Sequence, residues 1–558
     1  MIEANQKSIT FEKNIKKPDS LNFILKTFSI FIIFSVSICV FYQFLTDKYS
    51  NDIYAFMYQG NRLLEGELLF TKEFNDKTPI IQFLFLLPSY FKSIKLWVLI
   101  STFIISISSF VSYKSIPKIL NINYKLNNNS KRYISKFASL LFLFLCVFSP
   151  AGIDHIDATA SSFFLLAISS LIFSLEHKST KKFKFILLAT LFLGICISIR
   201  PYFLIASIIL IVWSALKIYF KNKTKIVIYC FIFNSLILFF IFALNFFPYF
   251  ITGNINGLFS ALLIHRYDYY HIGIFKTIIL QIKNIIYFPN IGIIGFIVFF
   301  GVIYFLIFSI KFIKNKNSFK SFFTNNLDQI TFLIILPFSV EILILKRHFW
   351  DHYAVFFAPF AVFTVAFIFA NIYNLKLKNL KEVVLKRFFI LFALILPFYL
   401  ISPLHSVVLD INYEFKNLNV YRNKINNEVN EVRELVNQYK PVYGKDISFL
   451  VPDSNFLHWR LNESRHGFPI ASIYKSLANN RGTIDQLPEK LIRKDIPFVF
   501  AKKKDLCKEI LDKSPDLLLI KPSSFEEKCI LSSNNQFLKI EGKYANFEAY
   551  RRIKSKLN

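Results

Sequence analysis

The sequence predicts an all-α polytopic membrane protein whose transmembrane bundle is followed by a small α/β domain. Hydrophobic residues make up 54% of the 558-residue chain, and they are gathered in blocks of roughly 15 to 25, the length of helix that crosses a bilayer. The net charge of +30 comes from lysines and arginines between these blocks, as in the cytoplasmic loops of membrane proteins. This placement argues against nucleic acid as a partner, although the charge alone would suggest it.

The first apolar block, 21–45, is too long for the core of a cleavable signal peptide and lacks a small-residue cleavage site, so we expect it to remain as the first span. The N-terminal segment 1–20 then lies in the cytoplasm, and the module 21–404 contains every span. We predict about 11 to 13 helices in this module. Crossings are expected near 21–45, 94–113, 136–150, 158–175, 184–199, 202–218, 226–247, 290–312, 329–346, 353–374 and 388–404.

Sidedness follows from the number of crossings. The stretch from Pro79 to Phe91 is too short for a full crossing if Pro88 and Lys92 end its helix, so we interpret it as a juxtamembrane or re-entrant piece. The odd number of crossings that remains puts the first loop, 46–78, and the domain 405–558 outside the cytoplasm. The outer loops then hold most acids and histidines of the module, which predicts chemistry on the outer face of a bacterial inner membrane or plasma membrane.

The C-terminal domain, 405–558, has a mixed pattern. Apolar runs predict buried strands at 446–452, 496–500 and 516–520, and periodic stretches predict helices at 427–439 and 502–511. Together they indicate a small α/β layer. Cys507 and Cys529 could form a disulfide there, because an extracytoplasmic compartment is oxidising.

The first outer loop carries residues suited to a lipid phosphate. Residues 52–64 predict an amphipathic helix in the headgroup plane, with Tyr54, Met57, Tyr58 and Leu64 available for its interface-facing side. A carboxylate, Asp52, begins this helix, and the pair Asp76-Lys77 follows it. A lysine can pair with phosphate, while carboxylates can accept a proton or hold a divalent ion.

These residues resemble the first outer loop of the GT-C glycosyltransferases of the dolichyl-phosphate-mannose protein mannosyltransferase and aminoarabinose (lipid A) transferase type. The matching residues are Asp52, Tyr54, Leu63-Leu64-Glu65-Gly66 and Asp76-Lys77-Thr78-Pro79. Thr78 departs from the family, which usually has proline at that position. Further along the chain, Arg200-Pro201, the segment from His348 to Pro359, and the end of the chain with Pro515 to Ile520, Tyr544 and Tyr550 to Arg552 are similar to later parts of the family.

The resemblance implies a GT-C-like bundle that acts as an inverting glycosyltransferase. Its donor would be a polyprenyl-phosphate sugar and its acceptor a glycan, a lipid or a protein of the cell envelope. The implied catalytic residues are Asp52 and the family's second carboxylate, which is either Asp154 or Asp157. Residues implied to bind the donor phosphate are Lys77, Arg200, Arg347 and His352. A divalent cation, Mg, Mn or Zn, would bind at Asp76 and His265.

Structural roles compete with these functional ones. Asp52 and Asp157 could cap helices, Arg200 could extend to the headgroups, and the segment from Arg347 to His352 could be an interfacial anchor. Two other classes of protein also remain open: a transporter or flippase of lipid-linked saccharides, and an O-antigen ligase or polymerase. A transporter would not need an acid in the first loop joined to an Asp-Lys-Pro turn. A ligase or polymerase would use a large late outer loop with arginine and histidine and would lack the soluble C-terminal domain.

Overall fold

The computed structural model describes only part of the chain, and every structural statement concerns that part. The described residues are 19–46, 49, 51–68, 78–148, 152–176, 180–222, 226–255, 274–287, 294–303, 306, 326–344, 351–374, 395–396, 400–401, 423, 426–443, 447, 449–451, 457, 461, 507, 511, 516–532, 536–544 and 546–553.

Helices dominate this part of the chain, as the composition predicts. In chain order they are α1 (Asp19–Thr46), α2 (Asn51–Leu64), α3 (Ile80–Leu84), α4 (Leu86–Tyr90), α5 (Ile94–Asn123), α6 (Asn128–Phe148), α7 (Ile156–Glu176), α8 (Thr180–Ile199), α9 (Leu204–Asn222), α10 (Ile226–Leu244), α11 (Phe247–Ile251), α12 (Ile274–Tyr287), α13 (Ile294–Ile303), α14 (Asn326–Ile344), α15 (Ala358–Asn374), α16 (426–443) and α17 (Phe525–Leu531). A π-helical turn, Thr331–Ile335, interrupts α14. Short 3₁₀ turns, Pro201–Phe203 and Asp351–Phe357, precede α9 and α15.

Among the described residues, seven helices are long and apolar enough to cross a membrane. They cover Asn22–Leu45, Ile94–Asn123, Ile156–Glu176, Lys182–Ile199, Pro201–Phe220, Asn326–Ile344 and His352–Tyr373. Each coincides with a predicted span, so the prediction of a polytopic helical membrane protein is supported. The predicted spans 136–150, 226–247 and 290–312 overlap α6, α10 and α13, whereas 388–404 lies largely outside the described residues.

The predicted boundary between the second and third spans is wrong. We expected α5 to end near residue 113 and α6 to begin near 136, with a long basic connector between them. Instead α5 continues to Asn123 and α6 begins at Asn128. Lysine and arginine are good helix formers, and their long side chains can reach the aqueous phase from a helix end, so the basic residues extend the helices instead of forming a loop.

Polar contacts define one end of the bundle, which we call the basic end because the lysine-rich connectors lie there. Asp328, at the start of α14, accepts hydrogen bonds from Asn123 at the end of α5 (2.9 Å) and from Lys217 near the end of α9 (2.9 Å). Asn22 of α1 and Tyr373 of α15 are also hydrogen-bonded. The other termini of these helices therefore lie at the opposite end of the bundle.

The helix α7 lies at the centre of the bundle. Burial covers 89% of its most apolar stretch, compared with 33% for α1. Small residues such as Ala160 and Ser169 allow neighbouring helices to approach closely, as is usual in membrane bundles. Ser169 Oγ lies 3.0 Å from Ser115 Oγ of α5, and Ser161 donates to the carbonyl of Val355 (3.0 Å).

The loop helix α2 is more enclosed than we predicted. Met57 and Tyr58 are buried, so the interpretation that they face the membrane interface is wrong. The reason is a close approach to the stretch from Phe85 to Ser89: a Cβ on Gly60 would lie 2.6 Å from the backbone oxygen of Phe85. Ser89 also donates to the carbonyl of Met57 (2.8 Å). The segment that we interpreted as juxtamembrane or re-entrant, Pro79 to Phe91, forms α3 and α4 and supports this loop helix.

The C-terminal part has its own hydrophobic core and a four-stranded sheet. The strands are β1 (Phe449–Leu450), β2 (Leu517–Ile520), β3 (Phe537–Tyr544) and β4 (Phe547–Arg552), in the order β1-β2-β4-β3. Only β1 and β2 are parallel.

Several predictions for this domain are confirmed and three elements were missed. β1 and β2 fall within predicted strands and α16 contains the predicted helix 427–439, whereas the helix α17 and the hairpin of β3 and β4 were not predicted. The predicted strand 496–500 lies outside the described residues, as does most of the predicted helix 502–511. Cys507 and Cys529 form a disulfide with their Cα atoms 5.3 Å apart, as the sequence suggested.

Candidate functional site

A buried carboxylate lies at the centre of the candidate site, at the end of the bundle opposite the basic end. Asp157 is in the first turn of α7, and its side chain has no solvent-exposed surface. Arg200, between the end of α8 and the 3₁₀ turn that precedes α9, donates from its Nε to Asp157 Oδ1. The side chain of Arg200 is also buried, so the two charges are removed from water together. A charge without a partner at such a depth would be costly.

Two histidines face the other oxygen of this carboxylate. Nδ1 of His155 lies 3.4 Å from Asp157 Oδ2, and Nε2 of His352 lies 3.7 Å from the same oxygen. The two imidazole rings are 4.8 Å apart between centroids. His155 is brought there by the turn before α7, and His352 by the 3₁₀ turn before α15, so elements distant in sequence meet at one atom.

Asp52 joins this group from the first loop. It lies in the first turn of α2, and its Oδ2 is 3.3 Å from Nε2 of His155. With 35% of its side chain exposed, Asp52 is the most accessible carboxylate of the group. We call Asp52, His155, Asp157, Arg200 and His352 the central cluster. The central cluster combines two carboxylates, two imidazoles and one guanidinium. The helices that follow or precede these residues in sequence are apolar.

The turn before α7 gives the side chains of the two candidate acids different directions. Its backbone is held by α5: Trp97 Nε1 donates to the carbonyl of Asp154 (2.7 Å), and Ser101 donates to the carbonyl of Ile153 (2.7 Å). Gly152 has φ +68°, and a Cβ there would lie 2.8 Å from Asp154 Oδ1. The side chain of Asp154 therefore turns back over Gly152, and the ion pairs of the central cluster are made by Asp157.

The loop between α2 and α3 ends beside Arg200. Thr78, the residue that departs from the family pattern, donates through Oγ1 to the carbonyl of Ser198, two residues before Arg200. Ser198 Oγ in turn accepts a hydrogen bond from Asn245 at the end of α10 (2.5 Å). This contact ties the end of the loop between α2 and α3 to the same turn that presents Arg200.

Aromatic side chains border the central cluster on the side of α9 and α15. The hydroxyls of Tyr202 and Tyr353 lie 3.2 Å apart, and the ring of His352 packs edge-on against that of Tyr353. Phe356 stacks on Tyr353 from the other side. These rings fill the space beneath His352 and keep the polar groups in a low-dielectric surrounding, which strengthens their mutual attraction.

The electrostatic surroundings favour a positive charge at His155. Burial opposes that charge, but the carboxylates of Asp157 and Asp52 outweigh the burial and raise the pKa of His155 to about 9. One cationic imidazole thus sits between two carboxylates near neutral pH. An acid, an imidazole and a second acid in a row can accept, hold and return a proton.

Sequence reasoning found part of this arrangement. The structure brings Asp52, Asp157, Arg200 and His352 together, and the side chain of Asp154 lies over Gly152. The predicted phosphate-binding residues Lys77 and Arg347 and the predicted metal ligands Asp76 and His265 lie outside the described residues. His155, Tyr202 and Tyr353 were missed as site residues. His155 could have been identified from its position between the two acids of Asp154-His155-Ile156-Asp157.

Comparison of the chain with protein-family models, with curated proteins and with solved structures finds no match in any of the three. The case for a function therefore rests on the geometry of the central cluster and on the residues of the first outer loop.

Proposed function

We propose that the protein is a membrane glycosyltransferase that moves a sugar from a polyprenyl-phosphate donor to an acceptor at the outer face of the membrane. The observation that carries this proposal is that His155 links Asp52, from the loop helix after the first span, to the buried pair of Asp157 and Arg200 at helix ends of the bundle. Ionisable groups at membrane depth are expensive, and they usually mark substrate or ion sites.

In the proposed reaction, Asp52 acts as the general base. The acceptor hydroxyl attacks the anomeric carbon from the face opposite the phosphate, and its proton passes to the carboxylate of Asp52. The bond between the anomeric carbon and the phosphate oxygen breaks, and polyprenyl phosphate leaves with the bonding electrons. The product linkage is inverted relative to the donor. The exposure of Asp52 supports this role, because an acceptor can reach it without disturbing the buried pair.

The phosphate would be held on the side of Arg200 and His352. A guanidinium carries several N–H donors in a fixed fork, and one of those of Arg200, its Nε, donates to Asp157. Thr78 anchors the end of the first outer loop beside Arg200, which supports a contribution of the preceding Asp76-Lys77 pair to the same site. The acceptor class, whether glycan, lipid or protein, stays open in this proposal, as does a bound Mg, Mn or Zn.

Two features support the outward orientation of the site. Lysines collect at the basic end of the bundle, which the positive-inside rule assigns to the cytoplasm, and the central cluster is at the opposite end. The disulfide between Cys507 and Cys529 is the second feature, because disulfides persist in extracytoplasmic compartments and are rare in the cytosol.

A turnover assay tests the proposal. Purified protein in nanodiscs would be given radiolabelled polyprenyl-phosphate sugars with a broad set of acceptors, and donor consumption would be measured. We expect Asp52→Asn to lower kcat by about 10²- to 10⁴-fold, the usual contribution of a general base. His177→Ala, in the sequence between α7 and α8, is the matched control and should keep the wild-type rate.

Two results would count against the assignment. Wild-type turnover by Asp52→Asn would remove the proposed base. If the wild type consumes no donor with any acceptor but moves lipid-linked saccharide across a proteoliposome membrane, the protein is a transporter and the transferase proposal is wrong.

A further inference from the structure

We propose that His155, Asp157 and His352 form a binding site for one divalent transition-metal cation of the zinc class. Each residue offers one ligand atom, and the three atoms lie within 4.8 Å of one another. The three residues come from the turn before α7, from α7 itself and from the turn before α15. This site differs from the cation site at Asp76 and His265 that the sequence resemblance implies.

The distances suit a tetrahedral cation. With metal–ligand bonds of about 2.0 to 2.2 Å, neighbouring donor atoms of such a site are about 3.3 to 3.6 Å apart. Asp157 Oδ2 is 3.4 Å from Nδ1 of His155 and 3.7 Å from Nε2 of His352. A cation could therefore bind both histidines and the carboxylate after small side-chain movements, without any change in the helices.

The residues that contact these three ligands are arranged as they are around known metal sites. A metal-bound histidine almost always directs its other ring nitrogen to a carboxylate or carbonyl, which fixes the ring. His155 turns Nδ1 to Asp157 and Nε2 to Asp52, 3.3 Å away. Arg200 binds Oδ1 of Asp157, so that the other oxygen, Oδ2, is the one directed at the two imidazoles. Asp52 and Arg200 thus orient the ligands.

The donor set selects the metal. Two imidazoles and one carboxylate are a common ligand set of catalytic zinc, which keeps a fourth position open for water or substrate. Magnesium and calcium prefer oxygen ligands, so they fit this set poorly. His155 and Asp157 are buried, whereas 23% of His352 and 35% of Asp52 are exposed. The fourth position therefore faces the side on which His352 and Asp52 are reached by solvent.

The net charge of the site indicates which ligand the fourth coordination position binds. Metal binding displaces the proton of His155, because a ligating imidazole is neutral. With both imidazoles neutral, the charges of Asp52, Asp157 and Arg200 sum to one negative charge, and a divalent cation changes this to one positive charge. A phosphodiester, with a single negative charge, then neutralises the site. This step rests on the proposed function: the ligand at the open position would be a phosphate oxygen of the lipid-linked donor.

Metal binding by the full-length protein tests the site. The protein would be purified in detergent with an affinity tag that contains no histidine, stripped with a chelator, loaded with Zn²⁺ or Co²⁺ and desalted. We expect about one metal per chain by mass spectrometry, and visible absorption bands of tetrahedral Co²⁺. His155→Gln and His352→Gln should lose the bands, and Asp52→Asn should lower affinity by about 10- to 100-fold, as second-layer changes do. His177→Gln should bind as the wild type does.

Some outcomes would reject the metal site. Wild-type protein that retains no zinc or cobalt would overturn it, as would unchanged cobalt bands in both histidine variants. Thermal unfolding of each variant would show that lost binding is not lost folding. Failure of the metal site is separable from failure of the transferase proposal. Sugar transfer by chelator-treated, metal-free protein would overturn only the metal site, whereas cobalt bound by the three ligands without sugar transfer would count only against the transferase.

Discussion

At the scale of single residues, the buried pair of Asp157 and Arg200 determines the geometry of everything around it. Taking both charges out of water is expensive, and their attraction compensates for this only while both are present. Asp157 uses one oxygen for Arg200 and turns the other to His155 and His352. The main effect of the pair is therefore to orient the two histidines, and its net contribution to stability is small.

We expect Asp157→Ala to lower the free energy of unfolding by about 3 to 5 kcal/mol, because it leaves a buried guanidinium without its carboxylate. The double variant Asp157→Ala/Arg200→Ala should recover part of this loss, since it removes both charges. Thermal unfolding in detergent micelles measures the effect. A single variant that unfolds at the wild-type temperature would show that the pair does not constrain the fold.

The choice between Asp154 and Asp157 shows where sequence reasoning ends at this scale. Residue order alone left both Asp154 and Asp157 as candidates. The direction of each side chain depends on the turn at Gly152, with its φ of +68°, and on the hydrogen bonds from Trp97 and Ser101. Those contacts bring together residues about 50 positions apart, so a local pattern could not reveal them.

At the scale of elements, the position of α2 decides whether Asp52 reaches His155. The helix is held against the stretch from Phe85 to Ser89 at Gly60, where a Cβ would lie 2.2 Å from Ser89 Oγ. Amphipathic periodicity predicted the helix correctly but assigned its buried face to the membrane interface. Periodicity identifies an apolar face, but whether that face meets lipid or protein depends on the packing partner.

We expect Gly60→Ala to push α2 away from Ser89 and the backbone of Phe85, and so to separate Asp52 from His155. Sugar transfer should fall by at least as much as in Asp52→Asn, about 10²-fold or more. Gly66→Ala is the control: nothing lies within 4 Å of its added Cβ, and the φ of +82° predicts a local cost of about 1 to 2 kcal/mol. Equal activity of the two variants would contradict this account of α2.

The C-terminal hairpin was missed because its strands carry charges. Lys539 of β3 and Glu548 of β4 form an ion pair of 2.8 Å, and such residues hide the alternation that predicts a strand. The disulfide, in contrast, was suggested by composition and compartment. Whether two cysteines approach each other depends on the tertiary fold, which spacing along the chain does not determine.

We expect Cys507→Ser/Cys529→Ser to lower the stability of the C-terminal domain by about 2 to 4 kcal/mol, the usual contribution of a disulfide. Limited proteolysis of the full chain would measure it as faster cleavage of the C-terminal part. The same treatment of wild-type protein under reducing conditions should reproduce the effect. Unchanged cleavage in both cases would show that the cross-link does not stabilise the domain.

At the scale of the whole molecule, the two ends of the bundle carry different sets of charged residues. Lysine-rich connectors and the buried carboxylate Asp328 mark the basic end, and the central cluster marks the other. Composition and charge placement predicted this division well, because span length and the positive-inside rule depend on the bilayer and not on tertiary detail. The partners within each end could not be predicted, because they come from helices far apart in sequence.

We expect single cysteines at the two ends to react from opposite sides of the membrane. In a background without the membrane-module cysteines, Gly66→Cys, in the first outer loop, should react with an impermeant maleimide in intact cells. Lys125→Cys, between α5 and α6, should react only after the membrane is opened. Labelling of Lys125→Cys in intact cells, with Gly66→Cys protected, would show that the orientation is the opposite of the one we propose. The central cluster would then face the cytoplasm.

The most direct test of the central claim is an experimental structure of the protein with polyprenyl phosphate bound. Cryo-electron microscopy in nanodiscs would locate the phosphate, which scatters strongly enough to distinguish the two ends of the bundle. We predict that the phosphate lies within hydrogen-bond distance of Arg200 or His352, with the lipid chain leaving between the helices. A phosphate bound at the basic end, or one separated from Asp52 by a closed wall of packed side chains, would contradict the account.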